Sequence, residues 1–348
     1  MNSHDNILFS RYNSWDEIGG FLFGNGISIG LTNASYFGNA KIMDVFNRML
    51  NADEKRLIAD IIEFMDWYLF EYFDDNIREG FFNQVSKYYL DQKTADKIRC
   101  IEVTQNLINL HIEMFNASKK QGKKYLLDYS IEQLQIFENI YYNFIKNDSS
   151  DNVEKYTLIN NDWVYKCLIN YADYFKKAIK IIQEDSVISR KLLVNQFGSK
   201  KIFTTNYDTL LDGELQNVVH LHGSIDGNII TGSEYFIKAL QLSATEKYQT
   251  KYDIVYNDKI QELLKVRGTL CIVGYSCYYN DEHIHQVIRA NKSINKIVYF
   301  EINSKYDELT QDITRQNYLC KCLGIDGANR RLYIENADIF YYKYICAI

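Results

Sequence analysis

Gly198-Ser199-Lys200-Lys201-Ile202-Phe203-Thr204-Thr205-Asn206-Tyr207-Asp208 (GSKKIFTTNYD, residues 198–208) is where the rhythm of this chain changes. Before it, apolar residues recur at helical spacing. Ile58, Ile61, Ile62, Met65, Leu69 and Tyr72 share one face, and Ile131, Leu134, Phe137, Tyr141, Phe144 and Ile145 share another. A third helical stretch, about 162–196, runs up to Gly198, a residue suited to a helix C-cap. After Gly198 the apolar runs become short and alternate with polar or helical stretches. Candidate strands are 201–205, 218–222, 269–274, 296–302, 331–334 and 339–345. Short apolar strands alternating with helices indicate a parallel sheet covered on both faces.

One more strand candidate lies far upstream. Residues 18–23 (IGGFLF) form an apolar run that ends in Gly24-Asn25-Gly26. The fold expected is α/β: a Rossmann-like parallel sheet with helices on both faces and a large inserted helical subdomain. Residues 1–39 and 198–348 make the core in this reading, and residues 40–197 the insertion. The polar loop 147–152 (NDSSDN) is the best internal linker.

Composition narrows the function classes. A chain of 348 residues with 47% hydrophobic and 24% charged residues is globular in character. The net charge of −6 supplies no basic field for a phosphate backbone, so direct nucleic-acid binding is disfavoured. No stretch of about 20 apolar residues is present, and the first residues lack the pattern of a signal peptide. A cytoplasmic protein without a membrane span is expected. The seven cysteines (Cys100, Cys167, Cys271, Cys277, Cys320, Cys322, Cys346) are scattered and contain no CxxC pair, so they read as reduced thiols. Only Cys320 and Cys322 are close, and one pair does not complete a four-ligand zinc site; no metal is expected.

Chemistry-bearing motifs follow the strand candidates. Gly24, Asn25, Gly26 and Ser28 form a GxGxS loop after the first strand, where exposed amides and a hydroxyl suit a pyrophosphate. Thr204, Thr205, Asn206 and Asp208 end the second, and strand carboxyl ends are where ligands bind in open α/β sheets. Asn206 and Asp208 are equally suited to cap the next helix. His220 and His222 point to one face if they lie on a strand, and His222 precedes Gly223. Gly274 and Ser276 suit a ribose or phosphate, and Asp281 after them suits either loop orientation or helix capping. Glu301, Ile302 and Asn303 end a later strand, a place suited to ribose hydroxyls.

In this order the motifs resemble the sirtuin superfamily. The spellings TTNYD, HLHGS and GYS followed by NDEHI look most like bacterial sirtuin-like proteins of antiviral defence that hydrolyse NAD. The resemblance covers residues 21–36 and 200–304, about half the chain, and leaves the helical block unmatched. Deacetylating sirtuins carry two CxxC pairs soon after the His-Gly motif; residues 224–267 contain no cysteine here. The proline-bearing arm after the first glycine loop is also missing, since the chain has no proline.

The resemblance implies an NAD glycohydrolase that releases nicotinamide and ADP-ribose, acting as an antiphage effector. NAD is then substrate rather than resident cofactor. Asn206 orders the ribose and the attacking water, and His222 is the general base. Gly24, Asn25, Gly26, Ser28, Thr205, Asp208, Gly274, Ser276 and Asn303 hold the dinucleotide, with Asp208 fixing the Asn206 loop. The family also implies a homo-oligomer or a partner defence protein, such as an ATPase or a sensor subunit. Two alternatives stand beside hydrolysis: a non-catalytic NAD or ADP-ribose sensor, and a protein deacylase or ADP-ribosyltransferase.

Overall fold

The computed structural model describes residues 7–8, 15–32, 39–67, 161–227, 229, 259–277, 281–326 and 329–347. The helical face expected over 131–145 and the linker at 147–152 lie outside the described residues.

The core strands are β1 (Ile7–Leu8), β2 (Ile18–Phe23), β4 (Lys201–Thr204), β5 (Val218–His220), β6 (Gly268–Val273), β7 (Ile294–Glu301) and β8 (Arg331–Asn336). They form one sheet in the order β1-β8-β7-β6-β2-β4-β5, and every pairing is parallel. The chain therefore winds outward from β2 through β4 to β5. It then returns and winds the other way from β6 through β7 to β8. Without the two-residue β1, this is the 3-2-1-4-5-6 order of doubly wound dinucleotide-binding sheets. Ligands of such sheets bind outside the carboxyl ends of the two strands where the winding reverses. Those strands are β2 and β6, paired through Phe23 and Val273.

Alternation along the strands explains why helices cover both faces. Leu22, Phe203, Leu270, Ile272, Ile297 and Tyr299 point to one side. They pack there on Ile284 and Ile288, Leu309, and Leu319 and Leu323. These belong to three helices, Glu282–Ala290, Asn303–Gln311 and Ile313–Leu323. Phe21, Phe23, Ile202, Cys271, Val273 and Val298 point to the other side. They meet Ile27 and Leu31, Phe197, and Phe340 and Tyr344, carried by helices α1 (Asn25–Leu31), Val194–Phe197 and Ala337–Tyr344. Burial on both faces is why these strands read as near-continuous apolar runs.

Three expectations need correction. The segment 339–345 is mostly helix, and only Ile345–Ala347 (β9) is strand. Ala337, Phe340 and Tyr344 are the buried positions, a helical period hidden in an aromatic run, and Asn336 caps the helix by accepting from the Asp338 amide. The helix expected over 162–196 is Asn161–Asp185. After it, Arg190–Leu192 (β3) pairs antiparallel with β9, and a short helix, Val194–Phe197, ends before Gly198 at φ +54°. His222 lies two residues beyond β5 rather than on it, before Gly223 at φ +77°.

The chain separates into two compact units. One comprises Met1–Gly38, Ile179–Ile230 and Tyr252–Ile348, and the other Asn39–Ala178 and Thr231–Lys251. In the second unit the described residues include helices Asn39–Met49 and Ala52–Trp67 and the start of Asn161–Asp185. Asn51 and Glu54 make a reciprocal capping box at the second of these, with both bonds at 2.9 Å. Ile58, Ile61 and Ile62 are buried along it, as their spacing predicts. The side chains of Met65, Leu69 and Tyr72 lie outside the described residues. No helix among the described residues is long and apolar enough to cross a membrane.

Candidate functional site

Where the winding reverses, three glycines pack backbone on backbone. The Gly24 amide donates to the Val273 carbonyl and the Gly26 amide to the Gly274 carbonyl, each at 3.0 Å. A Cβ on Gly24 would lie 2.5 Å from the Gly274 oxygen and the Tyr275 Cα, and one on Gly26 would lie 2.6 Å from the Gly274 Cα. Gly274 itself adopts φ +64°. Close approach of two loops therefore accounts for glycine at 24, 26 and 274. The two amides assigned to a pyrophosphate donate instead within the protein. Asn25 is exposed as the first residue of α1.

Ser28 is likewise engaged inside the fold rather than offered to a phosphate. Its hydroxyl, fully buried, donates to Asp208 Oδ2 at 2.8 Å and accepts from Asn206 Nδ2 at 2.7 Å. Asp208 Oδ1 accepts from the Leu210 amide at 3.2 Å. This chain of bonds orients the Asn206 side chain. The rest of Asn206 is held as firmly. Its amide donates to Thr204 Oγ1, and its carbonyl accepts from His220 Nδ1, both at 3.0 Å. His220 is tied in turn to Asp212 Oδ2 at 2.8 Å. One atom is left over: Asn206 Oδ1 is buried and finds no hydrogen-bond partner among the described residues. A buried acceptor without a partner is uncommon, and it points to a ligand that supplies a donor.

Burial pushes the Asp208 carboxyl above its ordinary value, against the bonds from Ser28 and Leu210 that favour the charged form. The folded chain thus binds this proton more tightly than the unfolded chain does. Stability should fall as pH rises from about 4 through the folded value, and then level off. Asp208→Asn should remove that fall. Urea unfolding of both forms across pH checks it, and superimposable slopes would refute it.

His222 is 3% exposed, and Tyr207, the residue after Asn206, stacks on its ring at 5.8 Å between centroids. Its Nε2 is 3.2 Å from Asp281 Oδ1 and 3.2 Å from His283 Nε2. Asp281 is the N-cap by position of the helix Glu282–Ala290, yet its side chain makes no capping bond. It turns to the histidine instead. Burial raises the Asp281 carboxyl, but His222, His283 and His285 outweigh it and hold the group below its ordinary value. Tyr275, whose phenol burial keeps protonated, bonds His285 Nε2 at 2.9 Å.

The loop that carries Tyr275 is held stiffly. Cys277 adopts φ +53°, uncommon for a residue with a Cβ. Tyr318 donates to its carbonyl at 2.5 Å, and Arg315 Nη2 donates to the Ser276 carbonyl at 3.0 Å. Thr205 directs its amide to the Phe23 carbonyl at 3.0 Å, which ties the β2 and β4 ends together. Asn303 begins the helix after β7, and its side chain lies outside the described residues.

The structure thus joins Asn206, Ser28 and Asp208 in one hydrogen-bonded group and sets Gly24, Gly26 and Gly274 in contact. The pairing of His222 with Asp281, and the presence of His283, are not evident from the motifs. The only trace in the sequence is Asp281-x-His283-x-His285, which reads as an ordinary helix start. Compared with protein-family models, curated proteins and solved structures, the chain matches none.

Proposed function

We propose that this chain hydrolyses the N-glycosidic bond of NAD, releasing nicotinamide and ADP-ribose. The observation that carries the reading is Asn206 Oδ1. It is a fixed, buried acceptor just past the carboxyl end of β4, the neighbour of β2, on the strand edge along which doubly wound sheets hold dinucleotides. Its natural partners are O–H donors, the nicotinamide-ribose hydroxyls and the attacking water. His222 is the base. The Asp281 carboxylate holds the Nε2–H tautomer, which leaves the basic lone pair on Nδ1.

Nicotinamide leaves as a neutral molecule from a cationic pyridinium, so no strong acid is needed. The C1′–N bond breaks with its electron pair going to nicotinamide. The water oxygen bonds to C1′, and the water proton goes to His222. Positioning and exclusion of bulk water supply most of the rate. The adenosine half is assigned to the ends of β6 and β7, where Ser276 and Asn303 stand.

The test is the purified full chain with NAD alone, with nicotinamide and ADP-ribose read by chromatography. Stoichiometric release of both without any acyl-peptide supports hydrolysis. An effector that drains NAD is restrained at rest, so turnover is also read at several protein concentrations and with phage-infected lysate. Binding of NAD without release under all of these conditions selects the sensor reading instead.

A further inference from the structure

We propose that His222, Asp281 and His283 form a binding site for a borderline first-row divalent cation, Zn2+ above all, and that filling it disables His222 as a base. The first half stands on geometry alone; the second rests on the hydrolase reading.

The ligand atoms of the three residues lie within 4.8 Å of one another, with both histidines buried. Two of the edges, His222 Nε2 to His283 Nε2 and His222 Nε2 to Asp281 Oδ1, are each 3.2 Å. For tetrahedral zinc with bonds of about 2.05 Å, the edge between two ligand atoms is about 3.3 Å. Hydrogen bonding alone serves this arrangement poorly. An imidazole nitrogen has one in-plane direction and is either a donor or an acceptor. His222 Nε2 therefore cannot donate to Asp281 and accept from His283 in the same tautomer. A cation between them satisfies all three atoms at once. Two imidazoles and one carboxylate favour zinc-like ions over Mg2+ or Ca2+. Three protein ligands leave a fourth position for water.

The consequence for His222 follows from proton bookkeeping. In the cation-free state Nε2 carries the proton and Nδ1 the lone pair. A cation on Nε2 displaces that proton, and the neutral ring then carries its remaining proton on Nδ1. No basic lone pair is left for water. Occupation of the site is thus one form of the restraint that an NAD-draining effector requires, and removal of the cation reverses it.

The test adds Co2+, then Zn2+, to the metal-free full chain, with Mg2+ as control. One Co2+ per chain should bind with the intense visible absorption of tetrahedral cobalt, and Zn2+ should displace it while Mg2+ does not. His283→Gln, which keeps the volume of the side chain, should weaken Zn2+ at least about tenfold in competition with a chromophoric chelator. Nicotinamide release should fall with Zn2+ and return with chelator in the unmutated chain, and persist in Zn2+ in His283→Gln. Absence of the tetrahedral spectrum, or equal zinc affinity in both chains, overturns the site. The spectrum of the unmutated chain decides even if His283→Gln does not fold. Cation binding through His283 with NAD never cleaved leaves the site standing and removes the hydrolase reading. NAD cleavage indifferent to bound zinc removes the restraint.

Discussion

Asn206→Ala should lower nicotinamide release by about 10²–10³-fold, the usual effect of deleting one preorganised polar contact to a reacting centre. The same change should leave the fold nearly untouched, and this contrast is what makes the experiment informative. The substitution deletes the Nδ2 bond to Ser28, worth about 1 kcal/mol net. It also deletes a buried acceptor that finds no partner among the described residues, a liability of about 1–3 kcal/mol. The two oppose each other, so unfolding free energy should shift by no more than about 1 kcal/mol, and a small gain would be unsurprising. Backbone ties at Thr204 and His220 survive the change. Steady-state NAD hydrolysis and urea unfolding on the same sample decide the matter. Full activity, or loss of activity together with loss of the folded state, would mark Asn206 as structural.

How far the sequence led depends on the element. Strands β2, β4, β6, β7 and β8 were legible because both faces are buried, which leaves unbroken apolar runs in the chain. Strands β3 and β9 were not, since three residues such as Arg190-Lys191-Leu192 carry no period and only their partner makes them strands. The run 339–345 misled for the opposite reason: it is apolar enough for a strand, but Phe340 and Tyr344 are four apart and face one core.

At the site, Asn206 and His222 stood out because polar residues end apolar runs. The engagement of Ser28, Gly24 and Gly26 did not. A GxGxS spelling is the same whether its amides face a phosphate or another loop, and the choice is made by Gly274, about 250 residues away in the chain. The partnership of His222 with Asp281 was hidden likewise. Asp281 ahead of a helix reads as a cap, and only the fold shows its carboxylate aimed elsewhere.

His222→Ala should abolish detectable hydrolysis, a loss of at least about 10²–10⁴-fold for a general base. Asp281→Asn is the sharper experiment, because it keeps shape and removes charge. An amide in place of the carboxylate can present its NH2 to Nε2 and stabilise the opposite tautomer, with the lone pair on Nε2 and the proton toward the substrate. Acid–histidine pairs altered in this way lose about 10⁴-fold in kcat, and a loss of about 10²–10⁴ is expected here with KM for NAD little changed. Stability supplies an independent sign. Asp281 is held below its ordinary value in the folded chain, so its contribution is present above about pH 4 and is lost as pH falls through the folded value. The unfolding free energy of Asp281→Asn should therefore fall less steeply in acid than that of the unmutated chain. Unchanged kcat in Asp281→Asn would separate the carboxylate from the chemistry, and it would leave the proximity of Asp281 to His222 as packing alone.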